Sequence, residues 1–374
     1  MAVKTCSGAG TITKVTELAD KLGIRRPMIV GTEPLVSTLL KKAPALLTAP
    51  VFSDFHPNPD LDDCAGGAEL FRKNGCDGLI SAGGGSAIDT AKGIKAFLNT
   101  ESIDEVRRSC LGDRLKCPHI AIPGTAGTGS EATQIAVVYV EGSKLSLDHL
   151  SLLPDGVILD GNLLASLPDY QKKSCALDAL AQGIESYWAN GATSDSRVHA
   201  FLAIIGVLDN LKAYLAGDPH AAQKMTEAAH ESGRAINISR TTAAHAMSYQ
   251  LTKKLGYAHG HACFLTLPFL WEKLNANGEA APLLNELSAL MRLGSPLMGP
   301  KLLQGILYDL DMMPENVPTE EMLDELAASV NTQRLGNHPE QLTKDELKVI
   351  YRRAFLKPSD AERRACEDIW RYYA

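Results

Sequence analysis

The sequence predicts an α/β amino-terminal half built on a parallel sheet, followed by an all-α carboxy-terminal half. Two observations predict it: β-rich runs alternate with helical periodicity between Pro27 and Asp160, and strand signals vanish after Leu167. The strand runs are Met28-Ile29-Val30-Gly31, Gly78-Leu79-Ile80 and His119-Ile120-Ala121-Ile122, with helical patterns over 65–73 and 86–98 between them. Strands separated by helices imply crossover connections and hence parallel pairing. The stretch 144–154 reads as a connection between two strands. Beyond it, the patterns predict helices over 170–188, 196–215, 221–238 and 242–255, with further helices to the end. Pro168-Asp169 marks the first helix start, where a carboxylate in the first turn suits the helix dipole. The division into domains is therefore expected at 1–165 and 166–374.

A chain of 374 residues, 45% hydrophobic and 22% charged, has the composition of a folded protein with large cores. Its formal charge is −7, and its basic runs are as short as Arg107-Arg108 and Lys253-Lys254, which argues against a nucleic-acid partner. Apolar runs such as 201–208 fall short of the ~20 residues that a bilayer requires, so no membrane span is expected. The eight cysteines (Cys6, Cys64, Cys76, Cys110, Cys117, Cys175, Cys263 and Cys366) form no C-x-x-C pair, and no leader is evident. Reduced thiols and a cytoplasmic location are the expectation.

Two glycine-rich loops follow strands. Ser81-Ala82-Gly83-Gly84-Gly85-Ser86 opens a helix, and its glycines let backbone approach a ligand where free N–H groups face a phosphate. The tight β–α turn is the plainer reading of three glycines alone. The second loop, Pro123-Gly124-Thr125-Ala126-Gly127-Thr128-Gly129-Ser130, offers hydroxyls and N–H groups suited to a ribose, a phosphate or a carboxamide. Two such loops at neighbouring strand ends point to a dinucleotide.

On the helix predicted over 170–188, Asp178, Gln182 and Glu185 stand at i, i+4 and i+7 and share one face. Alone this could be a solvated face. Further on come His245, His259 and His261 among small and apolar residues. Histidines on and after a helix can converge with carboxylates on one divalent ion.

These segments, in this order, resemble the iron-containing alcohol dehydrogenases over about residues 25–275. The resemblance rests on Gly83-Gly84-Gly85-Ser86 with Asp89 and Lys92, on the run from Pro123 to Glu131, and on Asp178-Ala179-Leu180-Ala181-Gln182-Gly183-Ile184-Glu185. It implies that Gly83, Gly84, Gly85, Ser86 and Asp89 belong to the pyrophosphate site and Thr125, Thr128 and Ser130 to the second cofactor loop. It implies metal ligands at Asp178, Gln182, His245 and His259, Fe²⁺ as the ion with Zn²⁺ as the alternative, and a homodimer. Two departures stand out: Gln182 replaces a histidine, and Tyr249 replaces another near the substrate. An amide is a weaker, neutral donor, so the metal would be held less tightly, or water would take its place. Ser53, where an acidic residue is usual, tolerates a 2′-phosphate, so the cofactor is written NAD(P)H.

Arg240, flanked by Ser239, Thr241 and Thr242, lies five residues before His245. A guanidinium among hydroxyls suits a phosphate or phosphonate, while a salt bridge at a domain seam is the plainer reading. This run, Gln182 and the segment from Val330 to Pro339 are similar to the phosphonoacetaldehyde reductase branch of that family. The resemblance implies reduction of a small anionic aldehyde, with the ion polarising its oxygen, Arg240 anchoring the anion and Tyr249 or water giving the proton. The competing expectations are a general short-chain alcohol dehydrogenase, a non-redox enzyme resembling dehydroquinate synthase, and a dinucleotide-binding protein without catalysis.

Overall fold

The computed structural model describes residues 3–98, 100, 102–107, 117–314, 316–331 and 335–373. Arg108, Cys110 and Thr332-Gln333-Arg334 lie outside the described residues. The chain divides into two compact units, one of residues 1–167 with 217–237, the other of residues 168–216 with 238–374.

The first unit is built on a six-stranded parallel sheet, as expected. Its strands are β1 (Lys4–Ser7), β2 (Pro27–Gly31), β3 (Val51–Phe52), β4 (Gly78–Gly83), β5 (His119–Pro123) and, after the hairpin below, β8 (Gly156–Leu159). The spatial order is β1-β8-β5-β4-β2-β3. Every residue of β4, β5 and β8 is buried, as befits strands covered on both faces. Alternation sends Met28, Val30 and Leu79 to one face, with α3 (Leu61–Lys73) and α4 (Gly85–Leu98). It sends Ile29, Ile80 and Ile122 to the other, with α1 (Val15–Leu22) and α2 (Leu35–Lys42). A short α5 (Ile103–Arg107) follows α4.

The stretch 144–154 differs from the expected connection. Its first half lies in β7 (Ser143–Asp148), which pairs antiparallel with β6 (Ile135–Val140). The turn is Glu141-Gly142, with φ of 52° and 73°, the two positive values that a tight hairpin requires. Strand β1 was also not foreseen, because Lys-Thr-Cys-Ser is a short, largely exposed edge with no apolar run.

Helix α8 (Pro219–Ser239) follows the first helices of the carboxy-terminal half in sequence, yet residues 217–237 belong to the first unit. Gly129 and Gly233 make that packing possible: a Cβ on Gly129, itself at φ +58°, would lie 2.5 Å from Gly233 Cα.

The second unit is helical: α6 (Asp169–Trp188), α7 (Ser194–Leu215), α9 (Ala243–Leu255), α10 (His259–Ala276), α11 (Ala281–Leu290), α12 (Met298–Asp309), α13 (Glu320–Ala328), α14 (Lys344–Ala354) and α15 (Asp360–Arg371). Helix α6 starts where Pro168-Asp169 predicts, and all its residues from Ser174 onward are buried, which makes it the axis of this unit. Among the described residues, α7 alone is long and apolar enough to cross a bilayer. It packs along α6 and opens on a Thr193–Ser196 capping box.

Candidate functional site

The first unit places the two glycine-rich loops side by side at the carboxyl ends of β4 and β5, which pair from Leu79↔His119 to Gly83↔Pro123. The Gly124 N–H donates to Gly83 O at 2.8 Å. A Cβ on Gly84 would come within 3.3 Å of Thr125, and one on Gly85 within 3.0 Å of Thr128. The start of α4 is thus a cradle of backbone N–H groups that side chains would fill, which fits a pyrophosphate. Ser86 turns its hydroxyl to Pro57 O at 2.9 Å. Ser53 is exposed just past the end of edge strand β3.

Asp89 and Ser130 are brought to each other. The Ser130 hydroxyl donates to Asp89 Oδ1 at 2.5 Å, and the Val137 N–H to Oδ2 at 3.0 Å. Lys92, fully buried, donates to Ser130 O (2.6 Å), Ser130 Oγ (2.9 Å), Thr133 Oγ1 (3.0 Å) and Ile135 O (2.7 Å). Burial draws its ammonium down to about 8 against the pull of Asp89 and Glu131. These groups staple the second loop to α4, and the Thr125 and Thr128 side chains face Gly84 and Gly85.

In the second unit, Asp178, Gln182 and Glu185 are 2%, 3% and 0% exposed, so their shared face of α6 is not a solvated one. Glu185 Oε1 accepts the N–H groups of Thr242 (3.1 Å) and Ala244 (2.9 Å) and the Thr242 hydroxyl (2.6 Å). It caps the amino end of α9 from another helix. Its Oε2 pairs with Nδ1 of His245, a carboxylate–imidazole contact that aims the opposite nitrogen. That Nε2 is buried, lies 3.4 Å from Asp178 Oδ1, and has no hydrogen-bond partner among the described residues.

Helix α9 ends at Gly256 and α10 begins at His259. A Cβ on Gly260 would sit 2.1 Å from Ser174 O and 2.6 Å from Asp178 Cβ, so only glycine lets α10 press against α6 here. This places His259 Nε2 3.9 Å from Asp178 Oδ1. One turn along, Cys263 joins them: donor atoms of Asp178, His245, His259 and Cys263 all lie within 4.8 Å of one another. Burial pushes the Cys263 thiol up, but His245 and His259 outweigh it and bring it to about 7. Burial likewise opposes a proton on His245, yet Cys263, Glu185 and Asp178 raise its affinity well above the ordinary value. A buried cluster this rich in negative donors calls for a cation, and the orphaned Nε2 fits a divalent metal.

Gln182 is buried one turn from Asp178 on the same helix. Tyr249 stacks on His259, with ring centroids 6.3 Å apart and planes 9° apart. His261 stands apart from the cluster as a core residue, bonded to Met312 O and the Tyr170 hydroxyl. Arg240 directly follows α8 at φ +64°, a left-handed conformation uncommon for a side-chain-bearing residue. Asn337 holds the turn by donating to Ser239 O (2.8 Å) and Thr241 O (3.0 Å), and the Ser239 hydroxyl donates to Arg240 O at 2.9 Å. Sequence reasoning did not single out Cys263, the capping role of Glu185 or the clamp by Asn337. The i, i+4 spacing of His259 and Cys263 was the available signal for the first.

Residues 2–161 match the family model "Iron-containing alcohol dehydrogenase", and residues 173–355 match "Fe-containing alcohol dehydrogenase family, C-terminal". The chain is similar to the phosphonoacetaldehyde reductase of Streptomyces viridochromogenes, with 36% identity over 57% of each chain. It therefore spans little more than half the length of that relative. The probable alcohol dehydrogenase EutG of Escherichia coli is 38% identical over 72% of this chain and 71% of its own. Among solved structures, the sulfoacetaldehyde reductase of Bifidobacterium kashiwanohense in complex with NAD⁺ superposes with TM-score 0.84. Its identity is 27%, over 94% of this chain and 97% of that one.

Proposed function

The chain belongs to the iron-containing alcohol dehydrogenase family, an oxidoreductase family, and from that premise we propose that it reduces a small anionic aldehyde to a primary alcohol, using NAD(P)H and a divalent metal. Phosphonoacetaldehyde, giving 2-hydroxyethylphosphonate, is the substrate we put forward. The observation that carries the reading is the buried donor set around His245, whose Nε2 is left for a cation. Relatives named as phosphonoacetaldehyde and sulfoacetaldehyde reductases support an aldehyde bearing a tetrahedral anion.

When bound, the nicotinamide supplies a hydride to the carbonyl carbon and the metal polarises the carbonyl oxygen. The residues of the chain do the rest. Asp178, His245 and His259 hold the ion, and Glu185 keeps the His245 ring in register. Gly83, Gly84, Gly85 and the Ser86 N–H cradle the pyrophosphate, while Thr125 and Thr128 line the second loop. Arg240, fixed in its left-handed turn, binds the substrate anion and so orients the carbonyl. Tyr249, stacked on His259, or a water in its place, gives the proton that completes the alcohol.

The test is a steady-state assay with phosphonoacetaldehyde, sulfoacetaldehyde and an uncharged aldehyde of similar length, with NADH and NADPH. Phosphonoacetaldehyde should have the highest kcat/KM. Arg240→Ala should reduce kcat/KM on the anionic aldehydes by about 10- to 100-fold, the worth of a charge-assisted bond, and leave the uncharged one within about threefold. Equal losses on both would remove the anion-binding role. Turnover without net oxidation of the reduced cofactor would contradict the reductase reading.

A further inference from the structure

We infer that Cys263 is a thiolate ligand of the metal, supplying the donor that the neutral amide of Gln182 does not. The inference rests on the proposed metal dependence and concerns which atoms of this chain form the centre. Cys263 is fully buried and stands one helical turn after His259 on α10, so one rigid element presents both donors on the same face. Its Sγ lies 3.8 Å from His259 Nε2 and 3.9 Å from Nδ1.

The separations match those around a small divalent ion. Bonds of about 2.0–2.1 Å to nitrogen or oxygen and about 2.3 Å to sulfur put tetrahedral ligand atoms about 3.4 Å apart, or about 3.6 Å where sulfur is one of them. The separations here are 3.4 Å for His245 Nε2 to Asp178 Oδ1, 3.9 Å for His259 Nε2 to the same oxygen, and 3.8 Å for Sγ to His259 Nε2. For these three pairs, shifts of a few tenths of an ångström reach the tetrahedral values, and the remaining pairs lie within 4.8 Å.

The charge count agrees. One carboxylate, one thiolate and two neutral imidazoles cancel a divalent cation, so the four-ligand centre itself carries no net charge. Glu185, the remaining acid, is already committed to Nδ1 of His245 and to the α9 amino end. On ligation the Cys263 S–H bond breaks, its proton passes to solvent and a sulfur–metal bond forms, with no change of oxidation state. A sulfur donor beside two imidazoles shifts preference towards Zn²⁺ and Co²⁺ relative to an all-nitrogen-and-oxygen set.

The test uses full-length protein reconstituted with Zn²⁺ or Co²⁺. Zn²⁺ X-ray absorption of the wild type should show one sulfur at about 2.3 Å, and the Co²⁺ form an intense near-ultraviolet thiolate-to-metal band. Cys263→Ser should lose the band and bind Zn²⁺ more than about tenfold more weakly, since even outer-shell partners are worth 10- to 100-fold. Gln182→Ala should keep the band and one equivalent of metal. Bound metal without a sulfur neighbour overturns the thiolate assignment and leaves the metal reading intact. A wild type that binds neither ion overturns the metal reading itself. Loss of metal from Gln182→Ala alongside full retention in Cys263→Ser also overturns the assignment.

Discussion

Two buried polar clusters, one in each unit, differ in whether the chain completes them. Around Lys92, every charge is answered from within: the ammonium has four oxygen acceptors, and Asp89 receives a hydroxyl and a backbone N–H. Around His245, Asp178, Glu185 and Cys263 are faced by imidazoles alone, and the His245 Nε2 has no hydrogen-bond partner among the described residues. The first pattern is that of scaffold, because a saturated network rigidifies what it joins. The second is that of a binding site, because burying such a donor set is costly until a ligand arrives.

The largest expected effect that would break this contrast is at Lys92. Lys92→Met leaves Asp89 and three acceptor-bearing residues buried without their cation, and it should cost about 3–5 kcal/mol of stability. Chemical denaturation measures it. A loss under about 1 kcal/mol, below what even one buried, unsatisfied group costs, would mean that the cluster is no staple. Glu185→Gln sharpens the other side. It removes the carboxylate that aims His245, so metal affinity should fall about 10- to 100-fold while metal still binds, as competition with a chelator would show. Unchanged affinity would reduce Glu185 to a helix cap. The smallest effect is at Ser53. A carboxylate at this exposed place would repel a 2′-phosphate by about 1 kcal/mol, so Ser53→Asp should shift the NADH-to-NADPH ratio of kcat/KM about fivefold towards NADH. No shift would place Ser53 away from the adenosine ribose.

Legibility in the sequence follows the same divide between local and assembled features. The β4–α4 loop was readable because its glycines are contiguous and its work is done by backbone. The start of α6 was readable from Pro168-Asp169 and the end of α9 from the helical pattern over 242–255. The facing of side chains was not. Asp89 and Ser130 sit in glycine-loop motifs, yet they turn to each other, a choice made by the packing of β6 and α4 rather than by spacing. Cys263 is one cysteine of eight, and only the approach of α10 to α6 at Gly260 distinguishes it from a core thiol. Glu185 lies on the face that the spacing predicts, but its task depends on the amino end of α9, which no helical periodicity reveals. The membership of α8 in the first unit depends on Gly129 meeting Gly233, 104 positions apart in the sequence.

A metal held by Asp178, His245 and His259 is proposed to be required for aldehyde reduction. The most direct measurement compares NAD(P)H oxidation with phosphonoacetaldehyde for three preparations: as purified, stripped by a chelator, and reconstituted with Fe²⁺ or Zn²⁺. About one metal per chain is expected, with turnover lost on stripping by at least about 10²-fold and then restored by the ion. A metal-free preparation that retains full activity would contradict it.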